Sequence, residues 1–288
     1  MTLIFPVPGN EAMASQLATG LGAALGVLET RRFPDGETYI RLASDVSDQD
    51  VVFVCTLSRP DDQFLRLVFA ARAARESGAK SLTLVAPYLA YMRQDTRFNP
   101  GEAVTSDHFA ALLSREFDRL ITIDPHLHRH HALSEIYTIP AIALHATPLL
   151  IEWITQNVHR PYIIGPDIES EQWIKGVAES VHAPFVVLQK QRRGDRNVKI
   201  AVPDLPGGQD HTMVLIDDIV ASGRTMIEVA EGLLKKGFAK PVCVVVHPLF
   251  AEDAFVRLSK VAAVIASTDT VQHVSNRISV ASLLAQAV

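Results

Sequence analysis

The sequence predicts an α/β fold in two domains, each a mainly parallel sheet flanked by helices. Three observations carry this. Strand-length apolar runs alternate with longer helical stretches along most of the chain, which is the pattern of α/β architecture. Several runs are continuously apolar rather than alternating, as expected of strands buried on both faces of a parallel sheet. The alternation also persists for about twice the length that one sheet of five or six strands requires. The 288 residues are therefore read as two domains, 1–145 and 146–288.

In the first half, runs rich in Val, Ile, Leu and Phe at 3–7, 51–57, 81–86 and 120–123 read as strands, with helices at 62–76 and 106–115. In the second half, strands at 162–164, 185–188, 213–216, 242–246 and 261–266 alternate with helices at 148–157, 170–181, 224–236 and 252–258. Asp61, Thr105 and Ser222 offer capping oxygens near helix starts, and Gly78 and Gly237 stand where helices should stop. Each half also has a charged loop after a strand: Arg93-Gln94-Asp95 in the first, Lys190-Gln191-Arg192-Arg193 in the second. That parallel reads as two related domains.

Composition narrows the function. With 48% hydrophobic and 20% charged residues the chain buries a large core and is not disordered. Its 27 basic and 32 acidic residues give a net charge of −5, which argues against a protein that lives on nucleic acid backbones. A small anion remains admissible, because a local pocket can oppose the global sign. Cys55 and Cys243 lie in strand-like runs without C-x-x-C or zinc spacing, the usage of a reducing compartment. The first basic residue is Arg31 and prolines stand at 6 and 8, which does not read as a signal peptide. No run of about 18 apolar residues occurs. The expectation is a cytoplasmic protein with neither membrane nor nucleic acid as partner.

The segment 214–225 carries the chemistry. A hydrophobic strand ends in Asp217-Asp218, and the short turn Ala221-Ser222-Gly223-Arg224-Thr225 opens a helix. Backbone N–H groups and hydroxyls at a helix N-terminus make an anion site. Two neighbouring carboxylates suit a pair of sugar hydroxyls or a magnesium ion. Phosphate plus vicinal diol describes ribose 5-phosphate. An ordinary strand-to-helix turn capped by Asp218 accounts for one acid but leaves a second charge at the end of a buried strand unexplained.

This segment resembles the phosphoribosyl-diphosphate loop of type I phosphoribosyltransferases and of ribose-phosphate pyrophosphokinases. Five motifs together follow the second family in order. Arg32-Phe33-Pro34-Asp35-Gly36-Glu37 resembles its adenine loop, where an aromatic ring and two carboxylates are plausible readers of a base. The run from Pro87 to Asp95 is similar to the family's P-Y-x-x-Y-x-R-Q-D, and Glu102 and the helix from Ser106 continue the pattern. Asp124-Pro125-His126 resembles D-L-H, and Gly165-Pro166-Asp167 resembles S-P-D. Lys190-Gln191-Arg192-Arg193 resembles the flexible catalytic loop.

The resemblance implies two type I phosphoribosyltransferase-like domains that move the diphosphoryl group of ATP to O1 of ribose 5-phosphate. It assigns ATP to Phe33, Asp35, Gly36, Glu37, Arg93, Gln94 and Asp95, and ribose 5-phosphate to Asp217, Asp218, Ala221, Ser222, Gly223, Arg224 and Thr225. It makes Lys190 and Arg192 catalytic, His126 and Asp167 contacts to Mg2+, and the protein a homo-oligomer, dimeric or larger. Ala221 and Arg224 depart from the family's usual D-D-x-x-D-T-G-G-T, and Ile168-Glu169-Ser170 replaces glycines expected to approach diphosphate. Two alternatives stay open: a phosphoribosyltransferase acting on a nitrogenous base, and a catalytically silent regulatory homologue. The adenine loop and the lysine loop argue against the first, and the retained Lys190 and Arg192 against the second.

His126, His128, His130 and His131 crowd one loop without an acid or thiol at defined spacing, and read as solvated histidines rather than a transition-metal site. No G-x-x-x-x-G-K-[ST] is present, so ATP is not expected on a P-loop. The glycines at 20, 22 and 26 fall one residue off a dinucleotide fingerprint and follow no strand.

Overall fold

The continuous apolar runs become the inner strands of two parallel sheets. The computed structural model describes residues 1–166, 171–188, 190–193, 197–200, 202–205 and 207–288, as backbone only at 172, 190–193 and 197–200. It divides into two units, Met1–His145 with Thr270–Gln272 and Val280–Val288, and Ala146–Asp269 with His273–Ser279.

The first unit runs β1 (Thr2–Pro6), α1 (Glu11–Leu21), β2 (Ala24–Leu25), β3 (Leu28–Arg32), β4 (Thr38–Leu42), β5 (Asp50–Val54), α2 (Pro60–Glu76), β6 (Ser81–Ala86), α3 (Thr105–Glu116), β7 (Arg119–Ile123) and β8 (Ala141–Leu144). Among the described residues, strands in the order β2-β1-β5-β6-β7-β8 form one all-parallel sheet. Ile4, Phe5, Val51, Phe53, Leu82, Leu84, Leu120 and Ile121 are fully buried in it, as strands covered on both faces require. β3 and β4 form a separate antiparallel hairpin.

The second unit runs α4 (Thr147–Asn157), β9 (Pro161–Gly165), α5 (Glu171–Ser180), β10 (Phe185–Val187), β11 (Lys190–Arg193), β12 (Asn197–Ile200), β13 (Thr212–Val220), α6 (Arg224–Lys235), β14 (Val242–Pro248), α7 (Ala254–Val261), β15 (Val264–Thr268) and β16 (Asn276–Ile278). Its parallel sheet has the order β10-β9-β13-β14-β15-β16, and β11 pairs antiparallel with β12. The final helix α8 (Ala281–Ala285) belongs to the first unit, where an added Cβ on Gly20 of α1 would stand 3.3 Å from that of Ala285. Gly26 lies under the Phe5 ring, 2.3 Å from where a Cβ would fall. Close packing accounts for Gly20 and Gly26, and the left-handed cap at the end of α1, φ 61°, accounts for Gly22.

The two sheets share one strand order, and each unit inserts its hairpin at the same connection, between its second and third sheet strands. This revises the correspondence expected between the charged loops. The counterpart of 190–193 is the hairpin at 28–42, and the loop carrying Arg93-Gln94-Asp95, which follows β6, corresponds to the loop after β14. The expected caps also differ. Asp61 lies within the first turn of α2, Thr105 is the first residue of α3, and Ser222 precedes Gly223. No N-cap side chain bonds the start of α2, α3 or α6. Gly78 and Gly237 do follow helix ends, both in left-handed conformation. No helix among the described residues is long and apolar enough to cross a membrane.

Cys55 and Cys243 are fully buried at 0% exposure, and burial pushes both thiols up to about 12. The thiolate is the reactive species. Both thiols should therefore resist a chromogenic disulfide reagent in the native protein at pH 8 and react fully after unfolding in guanidinium. A fast-reacting native thiol would contradict this packing.

Candidate active site

In the second unit the chain passes from β9 outward to β10, then returns to the other side of β9 with β13 and continues to β14. The winding reverses between β9 and β13, and open α/β sheets bind ligands at the carboxyl ends of the strands flanking such a point. β13 pairs with β9 only from Thr212 to Leu215 but runs beside β14 as far as Val220. Its last residues therefore overhang the end of β9.

Asp217 and Asp218 stand on that overhang, half-buried. Asp217 Oδ1 accepts the N–H of Asp218 at 3.0 Å, and Asp218 Oδ1 accepts that of Ile219 at 2.8 Å. Both carboxylates thus lean along the chain toward the loop. After Ala221 and the exposed Ser222, Gly223 turns the chain at φ 65° into α6. A Cβ there would meet nothing closer than Ile227 Cδ1 at 3.5 Å, so it is the left-handed backbone that favours glycine. The first turn of α6 contains no acid, which leaves the positive end of the helix receptive to an anion. Arg224 is exposed and forms no ion pair with Glu228 or any other described residue. Thr225 is half-buried behind it.

The same position in the first unit, between β1 and β5, is filled by the protein itself. Asn10, 5% exposed, gives its amide to Val7 O at 2.9 Å and accepts the Thr56 N–H at 2.7 Å. The Thr56 hydroxyl goes to Thr270 O at 2.5 Å. The helix that follows begins with Pro60 and carries Asp61 and Asp62 in its first turn, which repels an anion. Of two crevices with one topology, the second is the one whose strand end leads into a helix start free of acids.

The β3–β4 hairpin carries the expected adenine loop. Its tip is closed by Phe33 N–H to Glu37 O at 2.8 Å and Gly36 N–H to Phe33 O at 2.9 Å, with Gly36 at φ 96°. The Asp35 carboxylate accepts the Glu37 N–H at 3.2 Å, so part of its capacity is used in shaping the turn. The Arg31 guanidinium lies 4.5 Å from the Phe33 ring centre and 4.4 Å from that of Tyr39, its cross-strand partner. The two rings meet edge to face with centres 6.3 Å apart and share the cation, with Phe33 38% exposed. Arg31 and Tyr39 belong to this cluster and were not singled out by motif. Their signal was the hairpin register, which a motif search does not read.

The loop after β6 holds Arg93 exposed and Gln94 half-buried, with Gln94 O accepting the Ser106 N–H at 3.3 Å. Asp95 is turned inward. Its side chain is 3% exposed and bonded to Arg129 Nη1 at 2.6 Å, which ties this loop to the histidine-rich loop after β7. Tyr91, at φ 60°, donates its hydroxyl to Asp61 Oδ1, and this bond holds the phenol up at about 12. A cavity of about 370 Å³ lined by Phe64, Tyr91, Thr105, Phe109 and Leu112 adjoins this loop.

Beyond β7, Asp124 Oδ1 meets His145 Nδ1 at 2.8 Å, and that hydrogen bond holds the imidazole above its usual value. His126 packs on His128 with nitrogens 3.2 Å apart. His130 lies between Glu135, at 3.4 Å, and Asp107, at 3.6 Å. Among the described residues no group of three or more His, Cys, Asp or Glu is arranged to hold a metal ion. Asp167 and Glu169 lie outside the described residues. Lys190 and Arg192 are placed as backbone, at alternate positions of β11 within a hairpin rather than in an open loop.

Comparison with known proteins matches the chain to two family domains. Residues 2–116 match the N-terminal domain of ribose phosphate pyrophosphokinase, and residues 132–280 match the phosphoribosyl transferase domain. The chain is 34% identical to a ribose-phosphate pyrophosphokinase of Methanopyrus kandleri, over 96% of this chain and 94% of that one. It is 33% identical to that of Methanothermobacter thermautotrophicus over 98% of each. In fold it is similar to the crystal structure of phosphoribosylpyrophosphate synthetase from Mycobacterium smegmatis, with a TM-score of 0.87 at 22% identity, covering 99% of this chain and 97% of that one.

Proposed function

The chain belongs to the ribose-phosphate pyrophosphokinase family, and from that premise we propose that it joins ATP and ribose 5-phosphate to give 5-phosphoribosyl 1-diphosphate and AMP. The observation that carries this reading is the overhanging end of β13, where two carboxylates lead into a helix N-terminus free of acids. In the reaction, O1 of the sugar forms a bond to the β-phosphorus of ATP and loses its proton. The bond from that phosphorus to the α–β bridging oxygen breaks, and this oxygen leaves on AMP.

The two units, 1–145 with 270–272 and 280–288, and 146–269 with 273–279, divide the work. Asp217 and Asp218 accept the sugar hydroxyls, while the backbone of Ala221 to Thr225, the Ser222 and Thr225 hydroxyls and Arg224 bind the 5-phosphate. Phe33 with Arg31 and Tyr39 stacks on the adenine, and Asp35, Gly36 and Glu37 meet its polar edge. Arg93 and Gln94 bind the nucleotide further along, on a loop that Asp95 anchors through Arg129. Lys190 and Arg192 stabilise charge on the transferring diphosphoryl group, since such chemistry rests on positioning and electrostatics.

Mg2+ is held by few protein ligands, retaining water and using substrate phosphates for the rest. His126, half-buried on the loop after β7, and Asp167 are the residues that would contact it. When bound it neutralises phosphate charge. We also place the protein in a homo-oligomer in which the exposed hairpin tip serves a neighbouring subunit. Purified protein with Mg2+ and ATP should release AMP only when ribose 5-phosphate is added. AMP release without the sugar, or ADP in place of AMP, would overturn the reading.

Arg224 supplies a sharper test, because no ion pair holds it among the described residues. Arg224→Gly should raise the KM for ribose 5-phosphate about tenfold, the lower end of what a charge-assisted hydrogen bond of about 1.5–3 kcal/mol gives at an exposed position. Steady-state kinetics at saturating ATP measure this. An unchanged KM would make Arg224 a surface residue.

A further inference from the structure

The loop between β14 and α7 contains two non-glycine residues in left-handed conformation, Phe250 at φ 36° and Glu252 at φ 53°. For a bulky aromatic this backbone is an outlier, and such conformations persist only where the surroundings over-determine them. The surroundings here are specific. The Phe250 N–H donates to Val220 O and the Ala251 N–H to Ala221 O, each at 2.9 Å. Those two carbonyls belong to the last residue of β13 and the first residue of the phosphate loop. Ala254, at the start of α7, stands 3.6 Å from where a Cβ on Gly223 would be.

The Phe250 side chain is itself firmly packed. It is 9% exposed and packs in a three-ring cluster, with ring centres 5.3 Å from Phe255 and 4.8 Å from His273, while Phe255 and His273 stand 4.6 Å apart. His273 is fixed in turn by Ser275, whose N–H it accepts on Nδ1 at 3.2 Å. Burial holds its imidazole below the usual value, which favours an uncharged ring among the aromatics.

We propose that Phe250 is a positioning residue for the ribose 5-phosphate loop. Its ring, clamped by Phe255 and His273, keeps a strained turn whose two N–H groups hold the loop's first carbonyls in place. This rests on the assignment of residues 217–225 to ribose 5-phosphate. The role assigned to Phe250 needs no contact with substrate. Its effect passes through Val220 and Ala221, and a one-sided effect on the sugar phosphate is its signature.

The test combines kinetics with hydrogen exchange. Phe250→Ala should raise the KM for ribose 5-phosphate at least tenfold and leave the KM for ATP within twofold. Phe250→Leu, which refills most of the volume, should recover most of the loss. By NMR, the amides of Phe250, Ala251 and Ile227, the last of which donates to Gly223 O at 2.9 Å, should exchange at least tenfold faster in Phe250→Ala, with those of β9 and α4 unchanged. Equal losses for both substrates, or loosening spread over the whole unit, would make Phe250 an ordinary core residue and overturn the proposal. Unchanged exchange at residues 250, 251 and 227 would overturn it as well. Failure of the wild-type protein to use ribose 5-phosphate, with local loosening still present, would keep the clamp and remove the substrate assignment instead.

Discussion

Lys190→Ala is expected to lower turnover by about 10²- to 10³-fold, the scale seen when one pre-organised donor to a developing negative charge is removed. Lys190 opens β11, which pairs through 190–193 with 197–200 and lies outside the parallel sheet of its unit. The strand is short and the lysine is replaced by a smaller residue without changing the backbone bonds. Circular dichroism and the melting temperature should therefore match the wild type. Because the contact strengthens as charge builds on the diphosphoryl group, kcat and kcat/KM should fall together. A rise in KM with kcat unchanged would make Lys190 a binding residue only. Near-normal kinetics would make it a surface charge.

Asp217→Asn is expected to weaken ribose 5-phosphate by about ten- to a hundredfold, from the loss of a charge-assisted hydrogen bond of about 1.5–3 kcal/mol. The substitution is gentle on structure. The amide oxygen still accepts the Asp218 N–H that the carboxylate now accepts at 3.0 Å, so the end of β13 keeps its shape. What disappears is the second acceptor oxygen and the negative charge. The KM for ATP should change less than threefold. Equal effects on the two substrates would move Asp217 out of the sugar site.

The inner strands were legible because burial on both faces writes an uninterrupted apolar run, and Ser81–Ala86 falls at the expected residues. The helix opening the phosphate loop was legible too, since Gly223 breaks the pattern one residue before Arg224. Other elements left no such trace. α1 buries Met13, Ala14, Leu17 and Ala18, a stripe half made of alanine that carries little hydrophobic contrast. The β3–β4 hairpin has no residue fully buried, so its strands show no apolar run and only the turn motif stood out. In the run Val261-Ala262-Ala263-Val264-Ile265 the apolar residues continue from α7 into β15. The expected strand therefore began three residues early.

Of the candidate site, the local architecture from Asp217 to Thr225 was legible: a strand end, a turn and a helix start lie where the sequence puts them. The rest was not legible, because it depends on partners far apart in sequence. Asp95 with Arg129, Asp124 with His145, and Arg31 between Phe33 and Tyr39 are products of register and loop packing. Nothing in the spacing of these residues announces them.

The central claim is the identity of the bond made, and phosphorus NMR of a single reaction mixture reads it directly. With Mg2+, ATP and ribose 5-phosphate, the ATP resonances should give way to the single resonance of AMP and to two coupled diphosphate resonances on a sugar carbon, with no ADP and no inorganic phosphate. Appearance of ADP with a singly phosphorylated O1, or of free diphosphate with the sugar unchanged, would contradict it.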